Sequence, residues 1–310
     1  MNLPPPRVSV TLAIALAVAV AVAVLVVRSD GEDRPSESAY ASAGDTDPVN
    51  LITEEPTCAP WMSVVEEFTR EAAAVNWQGR RADVPASAWT PAERATYDTV
   101  GKAMARMADR APKFAQQTPH RVMREPYEQM VAYTRAFVDR IPTYVPEDNK
   151  LLSASSAAGS SISNICGAIA YGTARDVTPL LAAAPVPADP VTPQEYSEPE
   201  TLVTQSNPAC PDWSAEADEF SAKSADWLAT SKRVPAAEWT PQQKAVHETV
   251  APMMAANADK LEQLGRQSGD PVLEDVAALQ RSTDGPSSSH CPTTRAPTGC
   301  WRPRRRNWSG

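Results

Sequence analysis

Few side chains in this sequence could carry chemistry: five cysteines, three histidines and some carboxylates that recur in two places. The histidines, His120, His247 and His290, have no matching histidine in the other half of the chain. The sequence contains no Gly-x-Ser-x-Gly, His-Glu-x-x-His, Cys-x-x-Cys or phosphate-binding glycine loop. It therefore predicts no catalytic, cofactor-binding or metal-binding residue.

The recurring carboxylates leave two functions open. Glu67 and Asp109 are matched later in the chain by Glu219 and Asp259. Paired carboxylates can act as general acid and base, as in glycan hydrolysis, and the alternative function is therefore a cell-wall enzyme. Acidic residues on amphipathic helices more often form a solvated face, so we favour a non-enzymatic binding or scaffolding role in the cell envelope.

The cysteines predict a disulfide. Four consecutive helices with short connections usually pack up-down-up-down, which brings Cys58, before the first helix, next to Cys166, near the end of the fourth. An exported location permits a disulfide between them; the alternative is two unrelated thiols. Cys210 is then either unpaired or bonded to Cys291 or Cys300 in the tail.

The elements that position these residues come from an internal repeat. VPASAWTPAE at 84–93 returns as VPAAEWTPQQ at 234–243, and the match extends on both sides over about 110 residues. This is longer than the ~20–50 residues of a solenoid repeat, so we predict a duplicated domain. The shared tryptophans are expected to anchor the core: Trp61, Trp89, Trp213 and Trp239.

Apolar residues recur at helical spacing through both copies. The Trp-Thr-Pro stretch predicts a helix start in each, with capping boxes at Thr90 and Glu93 and at Thr240 and Gln243. In the first copy, further helices are predicted at about 123–140 and after Pro146. The fold class is all-α: an N-terminal transmembrane helix followed by a tandem repeat of four-helix-bundle-like units, the second incomplete.

The N-terminus predicts location. Val8–Val27 is uncharged and, at ~1.5 Å per residue, spans the ~30 Å bilayer core. It is longer than the apolar core of a cleaved signal peptide, which is the alternative. We predict a single-pass plasma membrane protein whose bulk is extracytoplasmic and whose partner is an envelope protein or an apolar ligand. The net charge of −9 argues against nucleic acid.

Composition predicts six segments: anchor 1–28, acidic stalk 29–56, repeat domain 57–172, proline-rich linker 173–208, partial repeat domain 209–281 and disordered tail 282–310. The tail has no helical periodicity. Back-translated with GC-rich codons of our choosing, it can be read in another frame as HGRPFVEPLPDYTRADGLL, which is similar to YTRAFVDRIPTYVPEDNKLL in the first copy. We interpret the tail as a frameshift product.

The pattern Cys-x-x-Trp, Glu-Trp-Thr-Pro, Leu-Pro-x-Tyr and Cys resembles that of uncharacterised, exported, single-pass helical-repeat proteins of high-GC bacteria. The resemblance covers residues 58–166 fully and 210–281 in part. It implies a location and a fold, and no activity is assigned to that family.

Overall fold

The computed structural model describes residues 40–178, 193, 199–202, 207–230, 234 and 236–284, and their regular secondary structure is helical. The α-helices are α1 Cys58–Ala74, α2 Pro91–Gln117, α3 Arg121–Arg140, α4 Asn149–Tyr171, α5 Thr173–Val177, α6 Cys210–Lys223, α7 Ala225–Leu228, α8 Pro241–Gln267 and α9 Pro271–Asp284. The all-α prediction is confirmed for these residues. None of the helices they form is long and apolar enough to cross a membrane. The predicted span Val8–Val27 lies outside the described residues.

Helices α1–α4 form a four-helix bundle. Each helix packs on the next, and α1 closes the bundle against α4. A disulfide joins Cys58 at the start of α1 to Cys166 near the end of α4, with the two Cα atoms 5.3 Å apart. The predicted disulfide is therefore present, and the start of α1 and the end of α4 lie on the same side of the bundle.

Two apolar clusters fill the bundle. At the disulfide end, the Trp61 and Tyr127 rings meet edge to face at 5.4 Å. At the opposite end, the Trp89 ring stacks on the Tyr97 ring at 3.9 Å, and the Tyr144 ring lies 5.5 Å from Trp89. Buried aromatic pairs of this kind are worth about 0.5–1.5 kcal/mol beyond the area they bury.

Helices α2 and α8, which follow the two Trp-Thr-Pro stretches, each begin with a capping box. The backbone N–H of Glu93 donates to the Thr90 hydroxyl at 3.2 Å, and the Thr90 backbone N–H donates back to the Glu93 carboxylate at 2.8 Å. Gln243 and Thr240 make the same reciprocal pair before α8. The hydrogen bond from the Thr90 backbone, with help from Arg81, lowers the pKa of Glu93 to about 2.

Residues 40–56, the described part of the predicted acidic stalk 29–56, pack on the bundle together with Thr57. Val49 and Ile52 are buried in the disulfide-end cluster. Glu55 accepts hydrogen bonds from the hydroxyls of Thr57 at 2.7 Å and Thr118 at 2.6 Å. The acidic composition of this segment suggested solvation, but Val49 and Ile52 enter the apolar cluster, and Glu55 binds Thr118 in the turn between α2 and α3.

The C-terminal helices join the bundle. Residues from Tyr40 onward form one compact unit, in which α9 packs against both α8 and α3. At Gly265 of α8, a Cβ atom would lie 2.6 Å from the Ala277 Cβ atom, so glycine permits the close approach of α9. Gln129 of α3 accepts from the Leu202 backbone N–H at 2.6 Å. This part of the predicted linker is thus held against α3, and the tandem repeat itself stays a prediction.

Candidate functional site: a buried charge cluster between α3 and α9

The first turns of α3 carry charged side chains on the face that packs against other helices. Arg121, Arg124, Glu125 and Glu128 are spaced i, i+3, i+4 and i+7, which places them on one side of the helix. None of these four side chains is more than 6% exposed. Charged groups are almost never fully buried unless they are paired. With Asp45 and Asp275, these residues form what we call the charge cluster.

Arg121 is the centre of the charge cluster. Its Nε and Nη2 atoms donate to the two carboxylate oxygens of Asp275 on α9, at 2.6 and 3.0 Å. Its Nη1 atom donates to the Asp45 carbonyl at 2.7 Å, and its backbone N–H donates to the Asp45 carboxylate at 2.6 Å. One guanidinium therefore ties three separate segments together, using the two-pronged geometry that makes arginine–carboxylate pairs specific.

Glu125 lies beside this ion pair and is in a different situation. Its side chain is 1% exposed, its Oε1 atom lies 3.9 Å from Arg121 Nε, and neither carboxyl oxygen accepts a hydrogen bond from an N–H group. Burial, and then the neighbouring negative charge of Asp275, raise the pKa of Glu125 well above its ordinary value. The raised pKa favours the protonated form of Glu125.

The remaining charges complete the cluster without opening it to solvent. Arg124 Nε lies 3.5 Å from the Glu128 Oε1 atom, and both side chains are buried. Glu128 also borders a shallow crevice between the N-terminal segment, α2 and α3, where Tyr40 and Tyr127 form part of the wall. No group of three or more His, Cys, Asp or Glu side chains in the described ranges is arranged to hold a metal ion. Chemically, the arrangement can bind a proton and hold helices together.

The carboxylates singled out for acid–base chemistry lie elsewhere. Glu67 forms a surface ion pair with Arg110 at 2.7 Å, and Asp109, 73% exposed, lies 3.8 Å from Arg135. Glu219 pairs with Lys223 on the exposed side of α6. These groups face solvent next to cations and do not meet in a cleft. The enzyme alternative thus has no geometric support from the residues that suggested it.

The four predicted anchoring tryptophans divide into two pairs. Trp61 and Trp89 are buried in the bundle, whereas Trp213 and Trp239 of the C-terminal helices are only half-buried. Cys210 is half-buried and is not part of a disulfide. The tail cysteines proposed as its partners, and the frameshift hypothesis itself, fall outside the described residues.

Sequence analysis did not identify the charge cluster. Charged residues at helical spacing normally indicate a solvated face, and in the stretch RVMREPYEQM only the apolar residues predict a buried stripe. Two signals were available: opposite charges at i, i+4, and Asp275 at the repeat position of Glu125. Neither signal specifies burial, because the element that covers α3 is more than 100 residues further along the chain.

Comparison with known proteins gives the family. The family described as "Mycobacterial ESX-1 associated protein" matches residues 40–283. An uncharacterised protein of Mycolicibacterium smegmatis (strain MKD8) is 39% identical over 245 residues, a match that covers 79% of this chain and 65% of that relative's length. No solved structure matches the chain. Because the family match spans most of the sequence, the chain belongs to the mycobacterial ESX-1 associated protein family.

Proposed function

We propose that this protein is a non-enzymatic scaffold of the cell envelope that binds another envelope protein in the context of ESX-1 secretion. The family description supports the ESX-1 context. In this proposal Val8–Val27 anchors the chain in the plasma membrane, and the remainder lies outside the cytoplasm. The Cys58–Cys166 disulfide supports that side of the membrane, because disulfides persist in oxidising compartments.

The observation that carries the scaffolding role is the ion pair between Arg121 and Asp275. It joins the four-helix bundle to the C-terminal helices through side chains that are 1% and 2% exposed. Breaking such a buried pair costs about 3–5 kcal/mol, so the two parts of the chain stay in a fixed relation. A rigid unit whose buried carboxylates hold its helices together is consistent with a scaffold that positions other proteins.

Site-specific photocrosslinking in cells tests this proposal. A photoreactive amino acid replaces Leu228, which is 52% exposed, and a matched control places it at the exposed Ser160 on α4. We expect a discrete crosslink to an envelope protein from position 228 that is lost in cells lacking the ESX-1 apparatus, together with reduced ESX-1 secretion when the gene is deleted. Unchanged secretion and identical crosslinks in the two strains would contradict the ESX-1 role.

The location is tested separately. A membrane-impermeant thiol reagent, applied to intact cells, should label Cys58 and Cys166 only after an impermeant reductant has been added. Labelling of these cysteines only in lysed cells would place the bundle in the cytoplasm and remove the anchoring proposal.

A further inference from the structure

The contacts around Trp239 repeat those around Trp89. The Trp239 indole N–H donates to the Val234 carbonyl at 3.0 Å, and the Trp89 indole N–H donates to the Val84 carbonyl at 2.9 Å. Each indole then stacks on a ring from the following helix. The ring centroids are 3.7 Å apart for Trp239 on His247, compared with 3.9 Å for Trp89 on Tyr97. The two sites are thus built alike.

In the bundle, the Trp89–Tyr97 stack is covered by what we call the covering segment, residues 137–152. This segment comprises the end of α3, a turn containing Ile141, and the start of α4. The Tyr144 ring lies 5.1 Å from the Tyr97 ring. The Ala86 backbone N–H donates to the Tyr144 carbonyl at 2.8 Å. Tyr144 also donates its hydroxyl proton to the Ala82 carbonyl at 2.6 Å, and the covered stack is almost inaccessible to solvent.

The second stack has no such cover among the described residues. Trp239 and His247 remain half-buried, as do Phe220, Trp227 and Met254 at the positions that match cluster residues of the bundle. We call these five residues the C-terminal aromatic face. In the described part of the chain α9 extends to Asp284. On the 150-residue offset of the repeat, this corresponds to position 134, and the residues that would match the covering segment, 287–302, lie outside the described part.

We propose that the C-terminal aromatic face binds a polypeptide segment of the same chemistry as the covering segment: a helix end with an aromatic residue, followed by an aliphatic-Pro-x-Tyr turn. The inference deepens the binding role proposed above and rests on it. The occupant is defined by what covers the equivalent stack in the bundle, where Phe137, Ile141 and Tyr144 supply the buried side chains. Buried aromatic anchors usually contribute most of the binding energy of an interface.

The test is titration of the full-length protein, in mild detergent, with a synthetic peptide of residues 133–152, YTRAFVDRIPTYVPEDNKLL. Binding is measured by calorimetry and by hydrogen–deuterium exchange of α8. We expect saturable binding in the range of about 10–100 µM, because the flexible peptide loses conformational freedom when it binds. The control peptide has alanine in place of Phe137 and Tyr144 and is expected to bind at least about ten-fold more weakly.

Two protein variants link the binding to the face. Trp239→Ala should weaken peptide binding at least about ten-fold. Since this change also alters the fold locally, the second variant adds a contact: His247→Tyr restores the ring that Tyr144 meets in the bundle and should tighten binding several-fold. A purely structural role for position 247 predicts no such gain.

Each negative result would overturn the inference. The absence of peptide binding would show that the face is not a docking surface, and equal binding of the alanine control peptide would show that the chemistry is wrong. Protection of α8 that rises with protein concentration alone would assign the face to a second copy of the chain. An ESX-1-dependent crosslink from position 228 could persist in these cases, so failure here is distinguishable from failure of the proposed function.

Discussion

Replacing Asp275 by alanine should detach α9 from α3, and the cost should depend on pH. The substitution removes the carboxylate that accepts from Arg121 Nε and Nη2 at 2.6 and 3.0 Å, and leaves Arg121, 1% exposed, with its hydrogen bond to the Asp45 carbonyl. Leaving a buried charge without its partner costs about 3–5 kcal/mol. We expect this loss in acid, where Glu125 is protonated and cannot replace Asp275.

At higher pH the cost should shrink. With Asp275 gone, Glu125 no longer faces a negative neighbour, so its pKa falls and it can ionise 3.9 Å from Arg121. At that distance the attraction is about 4 kcal/mol for an effective dielectric constant of about 20. The cost of burying the carboxylate offsets part of this attraction, so we expect Glu125 to recover about 1–2 kcal/mol.

In the wild-type protein, the stability that Glu125 contributes should instead decrease as the pH rises. Because the folded-state pKa of Glu125 is raised, the folded chain holds its proton more tightly than the unfolded chain does. The stability from this group is fully present below the ordinary glutamate pKa and is lost as the pH rises through the raised value. Burial and the charge of Asp275 raise this pKa, and the charges of Arg124 and Arg121 oppose the rise.

The assay is urea denaturation of the full-length protein in detergent, from pH 4.5 to 8, with hydrogen–deuterium exchange of α9 as a local readout. Glu125→Gln should flatten the pH dependence, and in that background the cost of Asp275→Ala should be the same at every pH. Glu219→Ala, at an exposed carboxylate, is the control and should change stability by less than about 0.5 kcal/mol. If Asp275→Ala costs the same at pH 4.5 and pH 8 in the wild-type background, the coupling between Glu125 and Asp275 is wrong.

Three further changes have separate expected outcomes. Cys166→Ser opens a loop with a sequence separation of 108 residues and should lower the free energy of unfolding by about 4–5 kcal/mol. The control Cys210→Ser, at a free cysteine, should leave the free energy of unfolding nearly unchanged. An equal effect of the two substitutions would contradict a structural disulfide. Thr90→Ala removes the cap of α2 and should cost about 1 kcal/mol, measured as a shift in the urea midpoint. Glu55→Ala removes the buried carboxylate that accepts from the Thr57 and Thr118 hydroxyls, which keep only contacts to the Tyr127 hydroxyl and the His120 carbonyl, and should cost about 1–3 kcal/mol. Limited proteolysis should then cut within residues 40–57, and resistance equal to that of the wild type would show that other contacts hold the segment.

The features that could be predicted from the sequence are local or depend on topology alone. Apolar spacing, the Trp-Thr-Pro starts and the proline breaks predicted the long helices, because these signals act within a few residues. The proximity of Cys58 and Cys166 followed from short connections between antiparallel helices. The contacts of the predicted stalk and linker could not be predicted, because composition does not reveal that Ile52 is buried in the bundle core or that the Leu202 backbone binds Gln129 of α3.

Helix starts, apolar stripes and the cysteines that can meet are all predictable from the amino-acid order, since backbone hydrogen bonding and side-chain periodicity act within one helix or one bundle. The folded chain was needed to show that the charges of α3 are buried and that Arg121 binds Asp275. It was also needed to show that Trp89 is covered whereas Trp239 is half-buried among the described residues. Those outcomes depend on which distant segment occupies a surface. The same charged face of a helix is exposed to solvent when nothing covers it, and is buried when another helix packs on it and excludes water.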